Sequence, residues 1–137
     1  MTRIATSLLV SAGALLLVAA AQPLPTLAQT QPGLWEVSGA PGAKAPVRTC
    51  IADVPSLARF EHRGKACTAK VVKQAGSLTA FEYSCGATGF GQSSVEALTP
   101  RSLRIRTQGI SDGLPFNYLL QARRMGDCPK NASASRR

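Results

Sequence analysis

Ser102-Leu103-Arg104-Ile105-Arg106-Thr107-Gln108 and Leu114-Pro115-Phe116-Asn117-Tyr118-Leu119-Leu120-Gln121-Ala122-Arg123-Arg124 flank Gly109-Ile110-Ser111-Asp112-Gly113. Asp-Gly between two alternating runs is a hairpin signal, because these residues tolerate the positive φ of a tight turn. If Asp112-Gly113 forms a two-residue turn, partner numbers across the hairpin sum to 225, as 112 and 113 do. Leu103 then faces Ala122, Ile105 faces Leu120 and Thr107 faces Tyr118, all on one face. The other face carries Ser102 beside Arg123, Arg104 beside Gln121 and Arg106 beside Leu119. One register therefore makes one side apolar and the other basic, as in a half-buried antiparallel pair.

The same alternation extends toward the N-terminus. Gly33-Leu34-Trp35-Glu36-Val37-Ser38 reads as a first strand, followed by turn chemistry in Gly39-Ala40-Pro41-Gly42-Ala43. Val47 to Ile51 is a short second strand carrying Cys50. Between Ala52 and Ala66, the spacing of Val54, Leu57 and Ala58 predicts one or two helical turns, with Ser56 as a possible cap. Cys67 to Lys73 and Leu78 to Cys85 are strands joined around Gly76-Ser77, Gly86 to Ser94 is a loop, and Ser93 to Leu98 is a strand ending at Pro100. The prediction is a mostly β protein, one small antiparallel meander of about seven short strands with two disulfides. A curved sheet, a sandwich and a partly closed barrel all fit this pattern.

Of 137 residues 45% are hydrophobic, but much of that content lies at the N-terminus. Met1 to Leu27 carries one charge, Arg3, and the apolar stretch from Leu8 to Ala21 is followed by Gln22-Pro23. It is shorter than the roughly 20 residues that a membrane span needs, and no cysteine precedes Cys50 to receive a lipid. The expectation is an export signal of residues 1–28, cut after Ala28, with a cut after Ala21 also meeting the small-residue rule. Removing 28 of 137 residues leaves 109, and losing Arg3 alone takes the net charge from +9 to +8. The domain is expected at 29–129 and a disordered basic tail at 130–137; the location is periplasmic or secreted.

Cys50, Cys67, Cys85 and Cys128 all fall in the retained part. An even count in a short exported chain predicts two disulfides. The absence of any C-x-x-C spacing speaks against a zinc site and a redox dithiol. Four cysteines allow three connectivities. The preferred pairing is Cys50–Cys67, closing a polar segment, with Cys85–Cys128 tying the C-terminus to a central strand.

The opening Pro32-Gly33-Leu34-Trp35-Glu36-Val37 is similar to the start of the exported bacterial proteins of domain-of-unknown-function family 3617. Arg48-Thr49-Cys50, Ala66-Cys67, Tyr83-Ser84-Cys85, Arg123-Arg124-Met125 and the closing Gly126-Asp127-Cys128 resemble later features of that family. Members often carry a Gly/Met-rich central stretch, which is plainer here. The resemblance implies an envelope protein of mostly β structure and assigns it no reaction.

Candidate chemistry is sparse. His62 is the only histidine and lies in Arg59-Phe60-Glu61-His62-Arg63-Gly64-Lys65, where a solvated histidine in a charged loop is expected rather than a catalytic base. Glu82 and Glu96 approach only if their strands are neighbours, and are expected to face lysine or arginine instead. Gly86-Ala87-Thr88-Gly89-Phe90-Gly91 lacks the helix that a phosphate loop opens, leaving a flexible hairpin loop with Phe90 at its tip. Trp35 is expected in the core, and the Asn131-Ala132-Ser133 sequon is expected to go unused. No enzyme, cofactor or metal is indicated.

The basic excess would suggest nucleic acid, but export and the absence of RNA-binding aromatic motifs argue against it. Anionic lipid, lipopolysaccharide or another anionic envelope component is the expected partner. The candidate face is Arg101, Arg104, Arg106, Arg123 and Arg124. A charge of +8 disfavours inhibition of a basic lysozyme. The alternative is a carrier holding a small apolar ligand against Phe81, Tyr83, Ile105, Phe116, Tyr118 and Leu120. Oligomeric state is left open.

Overall fold

The computed structural model describes residues 25–130. Most of the expected signal, the sequon at Asn131 and the tail beyond Lys130 lie outside the described residues. The strands are β1 (Gly33–Ser38), β2 (Val47–Ile51), β3 (Thr68–Ala75), β4 (Leu78–Ser84), β5 (Gly89–Thr99), β6 (Ser102–Ser111) and β7 (Leu114–Gly126). They form one antiparallel sheet in the order β2-β1-β7-β6-β5-β4-β3. From β3 to β7 each strand pairs with the next, and β1 then returns beside β7. The sheet does not close: β2 and β3 are its edges. Of the three architectures that the alternation allowed, the single open sheet is the one formed.

The β6–β7 hairpin keeps its predicted register throughout, from Ser102 opposite Arg123 to Ser111 opposite Leu114. Asp112 and Gly113 take φ of 48° and 80°, the positive pair that a two-residue turn matched to strand twist requires. The first strand reaches further into the turn than predicted, because Gly109 to Ser111 pair with β5 as well as with β7, while the second starts at Leu114 as predicted and runs on to Gly126.

One face of the sheet is apolar. Trp35, Val37, Phe81, Val95, Leu103, Ile105, Leu120 and Ala122 are buried there. A strap of 3-10 helix, Val54–His62, lies on this face and contributes Val54, Leu57, Ala58 and Phe60 to the same core. Two layers result, each burying what the other cannot hide alone. The strap is longer than the predicted turns. Asp53, not Ser56, occupies its N-cap, and no side chain caps it. Pro55 suits the first turn, where its missing N–H costs nothing. At Arg59 the backbone leaves helical values (φ −113°, ψ 37°). That break brings Phe60 and His62, two residues apart, both to buried positions.

Both disulfides form, with a different pairing from the one expected: Cys50–Cys128 and Cys67–Cys85. Strand register decides this. Thr68 pairs with Ser84, so Cys67 and Cys85 are the next residues out on the same ladder, with Cα atoms 4.1 Å apart. At the other edge Cys50 pairs with Leu34, and Leu34 pairs with Gly126. Cys128 lies just beyond, so the second bridge spans β1 and ties the edge strand to the chain end.

Residues Gly86 to Ser94 are not the predicted loop. A three-residue 3-10 turn, Gly86–Thr88, leads directly into β5 at Gly89. Phe90 is therefore a strand residue rather than a loop tip, and it stands 55% exposed.

Candidate functional site

The strap is held to the sheet by polar groups as well as by apolar ones. Ser93 on β5 donates to the Ala58 carbonyl and shares a 2.7 Å hydrogen bond with the Thr107 hydroxyl on β6. Tyr118 on β7 donates to Glu61 at 2.7 Å. His62 Nε2 lies 3.2 Å from the Thr88 carbonyl, which can only accept, so Nε2 carries the hydrogen. His62 is thus a buried residue, 2% exposed, and not the solvated loop histidine expected. Its ring meets Tyr83 and Phe116 edge-on, at centroid distances of 5.5 and 5.8 Å.

Two buried polar atoms lack a partner in this cluster: His62 Nδ1 and the Tyr83 hydroxyl. Burial pushes the Tyr83 phenol above its ordinary pKa and the Glu61 carboxylate adds to the shift, against the nearby Thr107 and Ser93 hydroxyls. Burial raises Tyr118 further, joined by the hydrogen bond to Glu61, the Glu61 charge and neighbouring Tyr83, with Arg63 opposing. Both phenols are held neutral. Gly91 makes room for Tyr83, since a Cβ at that position would run into the phenol oxygen.

The inward residues named for a ligand carrier are parts of this packed layer. Phe81, Tyr83, Ile105 and Leu120 are buried, while Phe116 and Tyr118 are half-buried at the rim. Trp35, fully buried, donates from Nε1 to the Gln31 carbonyl at 3.2 Å.

The opposite, outer face of the sheet holds most of the predicted arginines. Arg104 pairs with Glu96 at 3.2 Å, and Arg123 reaches Glu36 at 3.5 Å. Glu36 also accepts from Arg48 at 3.0 Å. Arg124 is on the other parity of β7. Its side chain is 12% exposed and is used internally, donating to the Pro32 carbonyl at 2.9 Å and pairing with Asp127 at 2.7 Å. Arg101 lies in the β5–β6 turn and Arg106 is exposed on β6; among the described residues neither has a carboxylate partner. Arg106 borders a shallow groove of about 560 Å³ with Ser94, Gln92, Asn117 and Leu119. Glu82 and Glu96 do not meet: Glu82 pairs across to Gln92 and Glu96 to Leu78, and Lys70 takes Glu82 at 3.2 Å.

A second cationic region escaped the sequence reading. The strap, the Gly64 turn and β2 bound a cleft of about 620 Å³ that Arg59, Arg63 and Lys65 enter. The visible signal was three cations, Arg59, Arg63 and Lys65, against one acid in Arg59 to Lys65. What could not be seen was that Glu61 turns away to Tyr118, leaving that acid out of the cleft lining.

The family described as "Protein of unknown function (DUF3617)" matches residues 30–128, from just before β1 through the last cysteine. The chain belongs to this family. Its match spans both disulfides and every strand, so the two-layer architecture is the body of the family domain as this member builds it. Neither the curated proteins nor the solved structures yielded a match.

Proposed function

We propose that this family member is an exported, non-catalytic binding module of the cell envelope, cut after Ala28, whose outer sheet face meets anionic groups on lipid or lipopolysaccharide. The observation that supports it is the bare face itself. A seven-stranded sheet covered on one side leaves the other to solvent, and there Arg106 stands exposed beside Leu119. Arg101 extends the positive edge, while Arg104 and Arg123 add charge already shared with Glu96 and Glu36. Phosphate groups suit such arginines, because the planar guanidinium offers paired donors. Two disulfides agree with an oxidising extracytoplasmic compartment.

Co-sedimentation of the exported, disulfide-bonded protein with vesicles containing phosphatidylglycerol tests this reading. Binding is expected to fall steeply between about 50 and about 300 mM salt, as charges become screened. The double change Arg101→Glu with Arg106→Glu is expected to abolish it. Salt-independent binding, or full binding by that variant, would overturn the proposal.

A further inference from the structure

The cleft beneath the strap has the composition of a built anion site. Arg59, Arg63 and Lys65 contribute three cations, Thr49 and Ser56 add hydroxyls, and no carboxylate lines it. Elsewhere in the described residues Arg48, Lys70, Arg104, Arg123 and Arg124 have acidic partners, while Lys44, Lys73, Arg101 and Arg106 do not. Arg59, Arg63 and Lys65 have none either, and they stand together around one cleft. Bending like charges into one concavity raises its potential, and a bound anion relieves the repulsion.

Arg63 is already positioned. Its guanidinium lies 4.0 Å over the Phe60 ring and donates to the Phe60 carbonyl at 3.1 Å, so little side-chain freedom is left to lose on binding. The remaining wall is apolar, with Ile51 and Leu57 beside Phe60. His62, buried and with Nδ1 unpartnered, also lines the cleft. At about 620 Å³ the cleft falls in the range of small-ligand sites.

We infer that this cleft binds an anionic amphiphile: a phosphate-type head on Arg59, Arg63 and Lys65, and an apolar portion against Ile51, Leu57 and Phe60. The site is separate from the outer arginine face and does not depend on it.

Isothermal titration of the exported, disulfide-bonded protein with dodecyl phosphate, kept below its micelle threshold, is expected to show one site. Inorganic phosphate should bind at least about tenfold more weakly, lacking the apolar contact. Dodecyl maltoside, lacking the charge, should not bind. Arg59→Ala with Arg63→Ala should weaken dodecyl phosphate by about tenfold or more, as expected for lost hydrogen bonds to a charged group. Lys65→Glu, at an exposed position, should weaken it too and guards against misfolding of the double variant. Arg101→Glu with Arg106→Glu should leave it unchanged, so this site and the outer face fail or succeed separately. The inference is overturned by no binding at millimolar dodecyl phosphate, by equal binding of the cleft variants, or by equal affinity for either control ligand.

Discussion

At the scale of single residues, polar groups inside the protein are there to hold the strap. Tyr118 shows how. Its phenol donates to Glu61 and is pushed well above the usual tyrosine range near 10. The folded state therefore keeps this proton at pH values where the unfolded chain has released it. Stability from this group is full below about pH 10 and is lost as pH rises toward the folded value. Alkaline unfolding followed by Trp35 fluorescence should show that decline. Tyr118→Phe should make it shallower, leaving the smaller contribution of Tyr83, and should cost about 1–2 kcal/mol near neutral pH because Glu61 loses its donor. A pH profile identical to the parent protein would refute this. Gly91→Ala is expected to destabilise by more than an ordinary surface change, since Tyr83 has no room to move within the core; chemical denaturation measures it. In the sequence, Tyr118 was visible only as an apolar-face residue opposite Thr107. Its partner Glu61 lies 57 positions away, and no local pattern links them.

At the scale of elements, the strands were largely legible and the strap was not. Period-two alternation and Asp112-Gly113 were enough to place β6 and β7 with every pair in register. The strap's buried residues, Val54, Leu57, Ala58, Phe60 and His62, follow no single period because the break at Arg59 resets the phase. Gly89 to Gly91 read as loop for a related reason: glycine is rare in strands unless a neighbour needs its space, and here Tyr83 does. The disulfide pairing differs from the one expected because it follows strand register, which the choice of loops to close did not consider. A tight turn at Gly76-Ser77 makes partners sum to 153, whereas Cys67 and Cys85 sum to 152. A bulge between Val71 and Lys73 supplies the difference. The two bridges differ in loop size, 18 against 78 residues of separation. On chain entropy they stabilise by about 3 and about 4.5 kcal/mol. Cys50→Ala with Cys128→Ala should therefore lower the denaturation midpoint more than Cys67→Ala with Cys85→Ala. The reverse order would show that the short bridge matters for more than chain entropy.

At the scale of the whole molecule, amino-acid order determined a mostly β meander, an apolar and a basic side to its hairpin, and cysteines in bridge-forming number. These follow from local physics, since alternation and turn chemistry act between near neighbours. Tertiary structure decided three other things. It left the sheet open, because the strap covers the apolar face that a barrel would have had to enclose. It buried His62 beside Tyr83 and Phe116, far from its expected place in solvent. It also sorted the positive charge. Arg104, Arg123 and Arg124 were drawn into pairs with Glu96, Glu36 and Asp127, while Arg59, Arg63 and Lys65 were gathered unpaired around one cleft. Net charge is a sum over the chain and says nothing of position. Only the folded arrangement of acids against bases shows where the excess remains available to a partner.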